Sequence, residues 1–190
     1  MIALKQSPAC FRATTPFSIT ANLDQAHIPR QSRRLRVCLG GYLLSSIIRV
    51  LVVDDYAPWI RFVSTALAMQ PRVNIVGEAQ DGLTAIQKVA ELKPDVVVLD
   101  IGLPDMNGIQ VARRILELAP TIHILFLTEH TEQETVRDAL LTGAQGYVVK
   151  SSAARELLPA LDALLLGCYF ISAAAARLQD GPVFRRLSDA

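Results

Sequence analysis

From residue 48 onward the chain repeats one unit five times, a short apolar run followed by a stretch with helical spacing. The runs are "IRVLVVDD", "VNIVGEA" (73–79), "DVVVLD", "IHILFLT" (122–128) and "GYVVK" (146–150). Near-continuous β-branched runs of this length mark strands buried on both faces. Between the first two, "PWIRFVSTALAMQ" sets Ile60, Val63, Ala66 and Leu67 at helical spacing after Pro58, and Pro71 stops it. "GLTAIQKVAELK" (82–93) gathers Ala85, Ile86, Val89 and Ala90 on one stripe. Further helices are expected over 109–118, through "TEQETVRDALLTG" as far as Gly143, and over 153–166. Five strands and five helices joined by short loops predict right-handed crossovers, hence an α/β, doubly wound parallel sheet covered on both faces.

The first 46 residues read differently. "MIALKQSPACFRATTPFSITANLDQAHIPRQSRRLR" mixes polar, Pro and basic residues without a period, so 1–46 is expected to be a disordered extension. "VCLGGYLLSSII" (37–48) is apolar, but its 12 residues fall short of the roughly 20 needed to span a bilayer. No membrane role is expected. A net charge of +1 leaves no chain-wide footprint for nucleic acid. Cys10, Cys38 and Cys168 show no metal-ligand spacing and no disulfide framework, which fits a reducing cytosol and a cytoplasmic protein.

In an open parallel sheet, ligands bind beyond the carboxyl ends of the strands. Here those ends carry Asp54 and Asp55, Asp100, Thr128 and Lys150. Any one of them alone reads as a helix cap or a solvated side chain. Together they bring three carboxylates, a hydroxyl and an ammonium to one rim. Carboxylates that close repel one another unless a cation relieves them, and hard oxygen donors suit Mg²⁺. A nucleophilic carboxylate beside a metal, a hydroxyl and a mobile cation has the parts for phosphoryl transfer onto the protein itself. The break in "PDVVVLDIGLPDMNG" (94–108) then follows: a rigid strand delivers Asp100 and the loop turns away to let phosphate approach.

"VLVVDD", "VVVLDIGLPDMNG", "FLT" and "GYVVK" resemble the receiver domain of two-component response regulators, which has a flavodoxin-like fold. The resemblance runs over residues 47–166. It implies that Asp100 is phosphorylated by a sensor histidine kinase or a phosphotransfer protein. It further implies that Asp54, Asp55, Asp100 and the backbone carbonyl of Gly102 bind Mg²⁺, and that Thr128 and Lys150 contact the phosphoryl group. Tyr147 matches the family's switch aromatic; a half-exposed strand aromatic is the plainer reading. The switch implies an altered protein-binding face of fourth helix, fifth strand and fifth helix, and a phosphorylation-dependent homodimer. The implied role is a signalling switch rather than an enzyme.

Two residues depart from the family pattern. Glu129 stands where a small residue is usual, and Ser151 replaces the proline that often follows the Lys. A cis bond before a non-proline costs about 3 kcal/mol, so a trans peptide is expected. "KSSAARELLPAL" and "GCYFIS" resemble the end of a receiver in the NarL/FixJ subfamily, where a helix-turn-helix domain follows. Only 18 residues follow Ser172, against about 60 for such a unit. Residues 167–190 are therefore expected to be a linker-like tail, with no direct DNA binding. The rival is a transcription regulator contacting DNA through a partner or through "RQSRRLR" (30–36). A phosphatase of the haloacid dehalogenase group would need a second Asp where Gly102 stands.

Overall fold

The computed structural model describes residues 47–176, in which strands and helices alternate around one parallel sheet. The strands are β1 (Ile48–Val53), β2 (Val73–Ala79), β3 (Val96–Leu99), β4 (His123–Thr128), β5 (Gly146–Val149) and β6 (Phe170–Ile171). The helices are α1 (Ala57–Ala68), α2 (Gly82–Leu92), α3 (Gly108–Leu118), α4 (Gln133–Leu140), α5 (Ala153–Leu165) and α6 (Ala173–Ala176). A single 3₁₀ turn, Lys150–Ser152, joins β5 to α5. Strand order is β2-β1-β3-β4-β5-β6, so the winding reverses between β1 and β3. The expected N-terminal extension and its basic stretch lie outside the described residues.

Strand periodicity sorts the core. Leu51, Val53, Val97, Leu99, Ile124 and Phe126 face one side, with the apolar stripes of α2 and α3. Val50, Val52, Val96, Val98, Leu125 and Leu127 face the other, with α1 and α5. A run apolar at every position is what a sheet covered on both faces demands. Local signals close the helices. Asp81 accepts from Thr84 N at 2.8 Å to start α2, and Asn107 accepts from Ile109 N at 2.8 Å to start α3.

The fold class is as read, but the expected five strands and five helices are corrected to six of each among the described residues. β6 pairs parallel with β5, Gly146 against Phe170 and Tyr147 against Ile171. Phe170 N donates to Gln145 O at 2.9 Å, and Ser172 N donates to Tyr147 O at 2.7 Å. A two-residue strand has no period to read; its pairing comes from the free edge of β5. Among the described residues no peptide bond is cis. No helix among them is long and apolar enough to cross a membrane.

Two residues, one in the loop and one at the start of α3, hold the β3–α3 connection in place. A Cβ added at Gly108 would stand 2.0 Å from Asp100 O and 2.8 Å from Ile101 Cα. Both obstacles are backbone, so no side chain can swing aside. Gly108→Ala is expected to cost about 2 kcal/mol or more in a urea melt, as overpacking against an unyielding neighbour does. An unchanged midpoint would refute it. The second residue is Asp105, whose carboxylate accepts from Gly82 N at 2.7 Å and Leu83 N at 2.9 Å. It caps the start of α2, the helix that precedes β3, from across the rim.

The Gly82 and then the Leu83 hydrogen bonds hold the Asp105 carboxyl below its ordinary value. A depressed folded-state value stabilises the fold above the unfolded value of 3.8 and is lost as pH falls through the folded one. Wild type is therefore expected to lose its advantage over Asp105→Asn on acidification. Parallel stability curves for the two proteins from neutral pH into that range would contradict this.

Candidate functional site

Flush strand ends build the rim. Val53 pairs with Leu99, Leu99 with Phe126, and Phe126 with Tyr147, so the residues that follow emerge side by side. Asp54 is buried at the end of β1, Asp100 at the end of β3, Thr128 as the last residue of β4, and Lys150 just after β5. Asp55 is exposed beside them. All five expected residues therefore meet at one edge. Asp55, Asp100, Thr128 and Lys150 line a cleft of ≈ 300 Å³ with Tyr56, Trp59, Gly102, Glu129 and His130, and Asp54 Oδ2 lies 2.7 Å from Lys150 Nζ.

Lys150 is the hub. Its Nζ lies 2.7 Å from Asp54 Oδ2 and 2.8 Å from Asp100 Oδ2, with the side chains 5 % to 8 % exposed. Burial pulls the ammonium down, but hydrogen bonds to Asp100 and Asp54 outweigh it and hold Lys150 above its ordinary value. Burial pushes the Asp54 carboxyl up, against the hydrogen bonds from Lys150 and Tyr56 N. Asp100 Oδ1 accepts from Ile101 N at 2.7 Å, which orients its second oxygen toward the cleft.

Carboxylate oxygens of Asp54, Asp55 and Asp100 lie within 4.8 Å of one another, close enough to hold a metal ion. Three carboxylates against one ammonium leave two uncompensated negative charges when all are ionised. A divalent cation matches that deficit, and an all-oxygen donor set fits a hard one. An added Cβ at Gly102 would lie 3.8 Å from Asp100 Oδ2, which places this backbone against the carboxylate.

The Thr128 hydroxyl accepts from His130 N at 3.5 Å, and Tyr147 OH donates to His130 O at 2.9 Å. One backbone residue thus links the rim to Tyr147. That ring is wholly buried, 6.1 Å from Phe126, rather than half exposed. Burial first, then the charges of Glu132 and Asp100, raise its phenol well above the ordinary value.

Reading strand ends alone overlooked the wall that α1 contributes. Trp59 stands in the first turn of α1, and its ring lies 5.4 Å from Lys150 Nζ.

The model of the response regulator receiver domain matches residues 50–162. The DNA-binding transcriptional activator DevR/DosR of Mycobacterium tuberculosis is 40% identical over 111 residues, covering 58% of this chain and 51% of that protein. A two-component response regulator of the LuxR family from Aurantimonas sp. superposes with a TM-score of 0.68 at 32% identity, over 75% of this chain and 99% of that one. The signal receiver domain of the response regulator NarL from Mycobacterium tuberculosis gives a TM-score of 0.62 at 34% identity, over 65% of this chain and 99% of that one. The chain spans about half the length of curated relatives such as DevR/DosR. A matched family model over most of the chain, a parallel sheet wound as receivers are, and an acidic rim closed by a lysine lead to one conclusion: the chain belongs to the response regulator receiver domain family.

Proposed function

We propose that this chain is the phosphoacceptor of a two-component phosphorelay in the cytoplasm, taking phosphate on Asp100 from a sensor histidine kinase or phosphotransfer protein. The observation that carries the reading is Asp100 itself, buried to 6 % exposure yet lining an open cleft with Lys150 2.8 Å away. A carboxylate oxygen of Asp100 attacks the donor's phosphorus, the P–N bond to the donor histidine breaks, and its electron pair leaves with the imidazole. The product is an acyl phosphate.

Asp54, Asp55, Asp100 and the Gly102 carbonyl would hold Mg²⁺, which when bound neutralises phosphoryl oxygens. Lys150 carries charge to the same oxygens, and the Thr128 hydroxyl donates to one of them. When Thr128 does so, its contact with His130 N is altered, and His130 O is the partner of Tyr147. Tyr147 then biases the face of α4, β5 and α5 toward a downstream protein or a second copy of the chain. The chemistry is confined to gaining and losing this one phosphoryl group. Direct DNA contact forms no part of the reading for residues 47–176.

Incubation with acetyl phosphate and Mg²⁺ is expected to add one base-labile phosphoryl group, and chelation of the metal to prevent it. Mass spectrometry of the intact protein reads both. No uptake from several donors, or phosphate found on a serine, would overturn the assignment.

A further inference from the structure

Lys150 has a third neighbour besides its two carboxylates. Trp59 is the single tryptophan of the chain, and the centroid of its ring lies 5.4 Å from Lys150 Nζ. The same nitrogen reaches Asp54 Oδ2 at 2.7 Å and Asp100 Oδ2 at 2.8 Å. An ammonium has three donors. Two are spent on carboxylates, and a π face covers part of what remains.

Three features make this contact more than adjacency. The Lys150 side chain is only 5 % exposed, and cation–π attraction strengthens when the cation is desolvated. The Trp59 ring is itself braced edge-on by Phe62, with centroids 5.1 Å apart and planes at 87°. A lysine stem has four carbons and many rotamers, so a fixed wall narrows the positions its ammonium takes. Trp59 also lines the cleft where the incoming group must sit.

We propose that Trp59 is a positioning residue for Lys150, holding the ammonium at Asp100 ready for charge that develops on the phosphoryl oxygens. The inference rests on the reading of Asp100 as phosphoacceptor. It assigns Trp59 no contact with the metal donors, so it predicts a change in rate without a change in metal affinity. Leucine at 59 would keep an apolar side chain on α1 while removing the π face together with its edge contact to Phe62, which is why phenylalanine at 59 serves as the comparison.

The test follows acyl-phosphate formation from acetyl phosphate in the full chain, for wild type, Trp59→Leu and Trp59→Phe, across Mg²⁺ concentration. Trp59→Leu is expected to slow labelling at saturating Mg²⁺ about two- to fivefold, the worth of a partly desolvated cation–π pair. The Mg²⁺ midpoint should stay put, and Trp59→Phe should recover much of the rate. A second readout needs no activity: the Lys150 ε-methylene protons should show an upfield ring-current shift in NMR spectra that Trp59→Leu abolishes. Thermal melts check folding, and Trp59→Met replaces the leucine variant if that one is unfolded.

Labelling of Trp59→Leu at the wild-type rate overturns the inference alone, as does an equal loss in Trp59→Phe. A shifted Mg²⁺ midpoint with an unchanged maximal rate also overturns it. Failure of wild type to take up phosphate overturns the function reading, and this inference falls with it.

Discussion

Asp100→Asn is expected to reduce phosphoryl uptake to background while leaving the fold intact. The amide matches the carboxylate in shape, and its oxygen still accepts from Ile101 N, a bond of 2.7 Å in the native protein. What disappears is the proposed nucleophile and one of the three oxygen donors that lie within 4.8 Å of one another. The neighbouring acids are poor substitutes. Asp54 is spoken for by Tyr56 N at 2.9 Å and Lys150 at 2.7 Å, and burial holds its carboxyl up. Asp55 is exposed at the margin. Thr128 is fully buried, and an alcohol forms a phosphoester that resists base, unlike the acyl phosphate expected at Asp100. Uptake followed by mass spectrometry, with peptide mapping of the base-labile group, decides the matter. Base-labile labelling of Asp100→Asn at the native rate would remove Asp100 from its role.

Lys150→Met is expected to lower stability by about 3 kcal/mol at neutral pH in the absence of metal, because removing one partner strands a buried charge. Here two are stranded, Asp54 and Asp100, which otherwise share the ammonium at 2.7 and 2.8 Å. Methionine fills the stem's volume, so the loss isolates charge from packing. Mg²⁺ is expected to return much of the deficit, since it neutralises the same oxygens and binds only the folded state.

Acid should shrink the deficit as well. Burial raises the Asp54 carboxyl in the folded protein. A raised group favours the fold below its unfolded value and loses that contribution as pH rises through the folded one. The stranded Asp54 carboxylate therefore hurts most at neutral pH and least once protonated. Urea melts with and without Mg²⁺ at two pH values test every part. A variant as stable as wild type without metal would show that the lysine is no structural counter-ion.

The rim was legible because strand ends are. A strand buried on both faces is apolar throughout, so the first polar residue after it marks where it leaves the sheet. Asp54, Asp100 and Lys150 announce themselves that way, and Thr128 closes its strand. Parallel pairing then puts all such residues on one edge without further information. The helices read over 82–93 and 109–118 were equally local, and the structure supplies their caps in Asp81 and Asn107, each of which reaches only residues within its own first turn.

Other features needed partners far along the chain. Asp105 reads as a loop residue until its carboxylate meets Gly82 N, 23 positions away. β6 has too few residues to carry a pattern, yet it closes the edge of β5 and lays Ser172 N on the carbonyl of Tyr147. Any partner for the α4–β5–α5 face therefore meets a strand edge already paired with the chain's own segment. Ser172 Oγ also donates to Glu156 of α5, which pins that segment a second time.

What the order of amino acids determined by itself is the layered α/β architecture and the set of side chains at its rim. Both follow from periodicity and from which residues end each strand. Tertiary structure alone decided how those side chains are shared: Lys150 bridging two acids under the Trp59 ring, and Tyr147 tied to the His130 carbonyl. The reason is physical. Hydrophobic burial reads a chain one residue at a time, whereas a hydrogen bond or a cation over a ring depends on distances between elements that only packing sets.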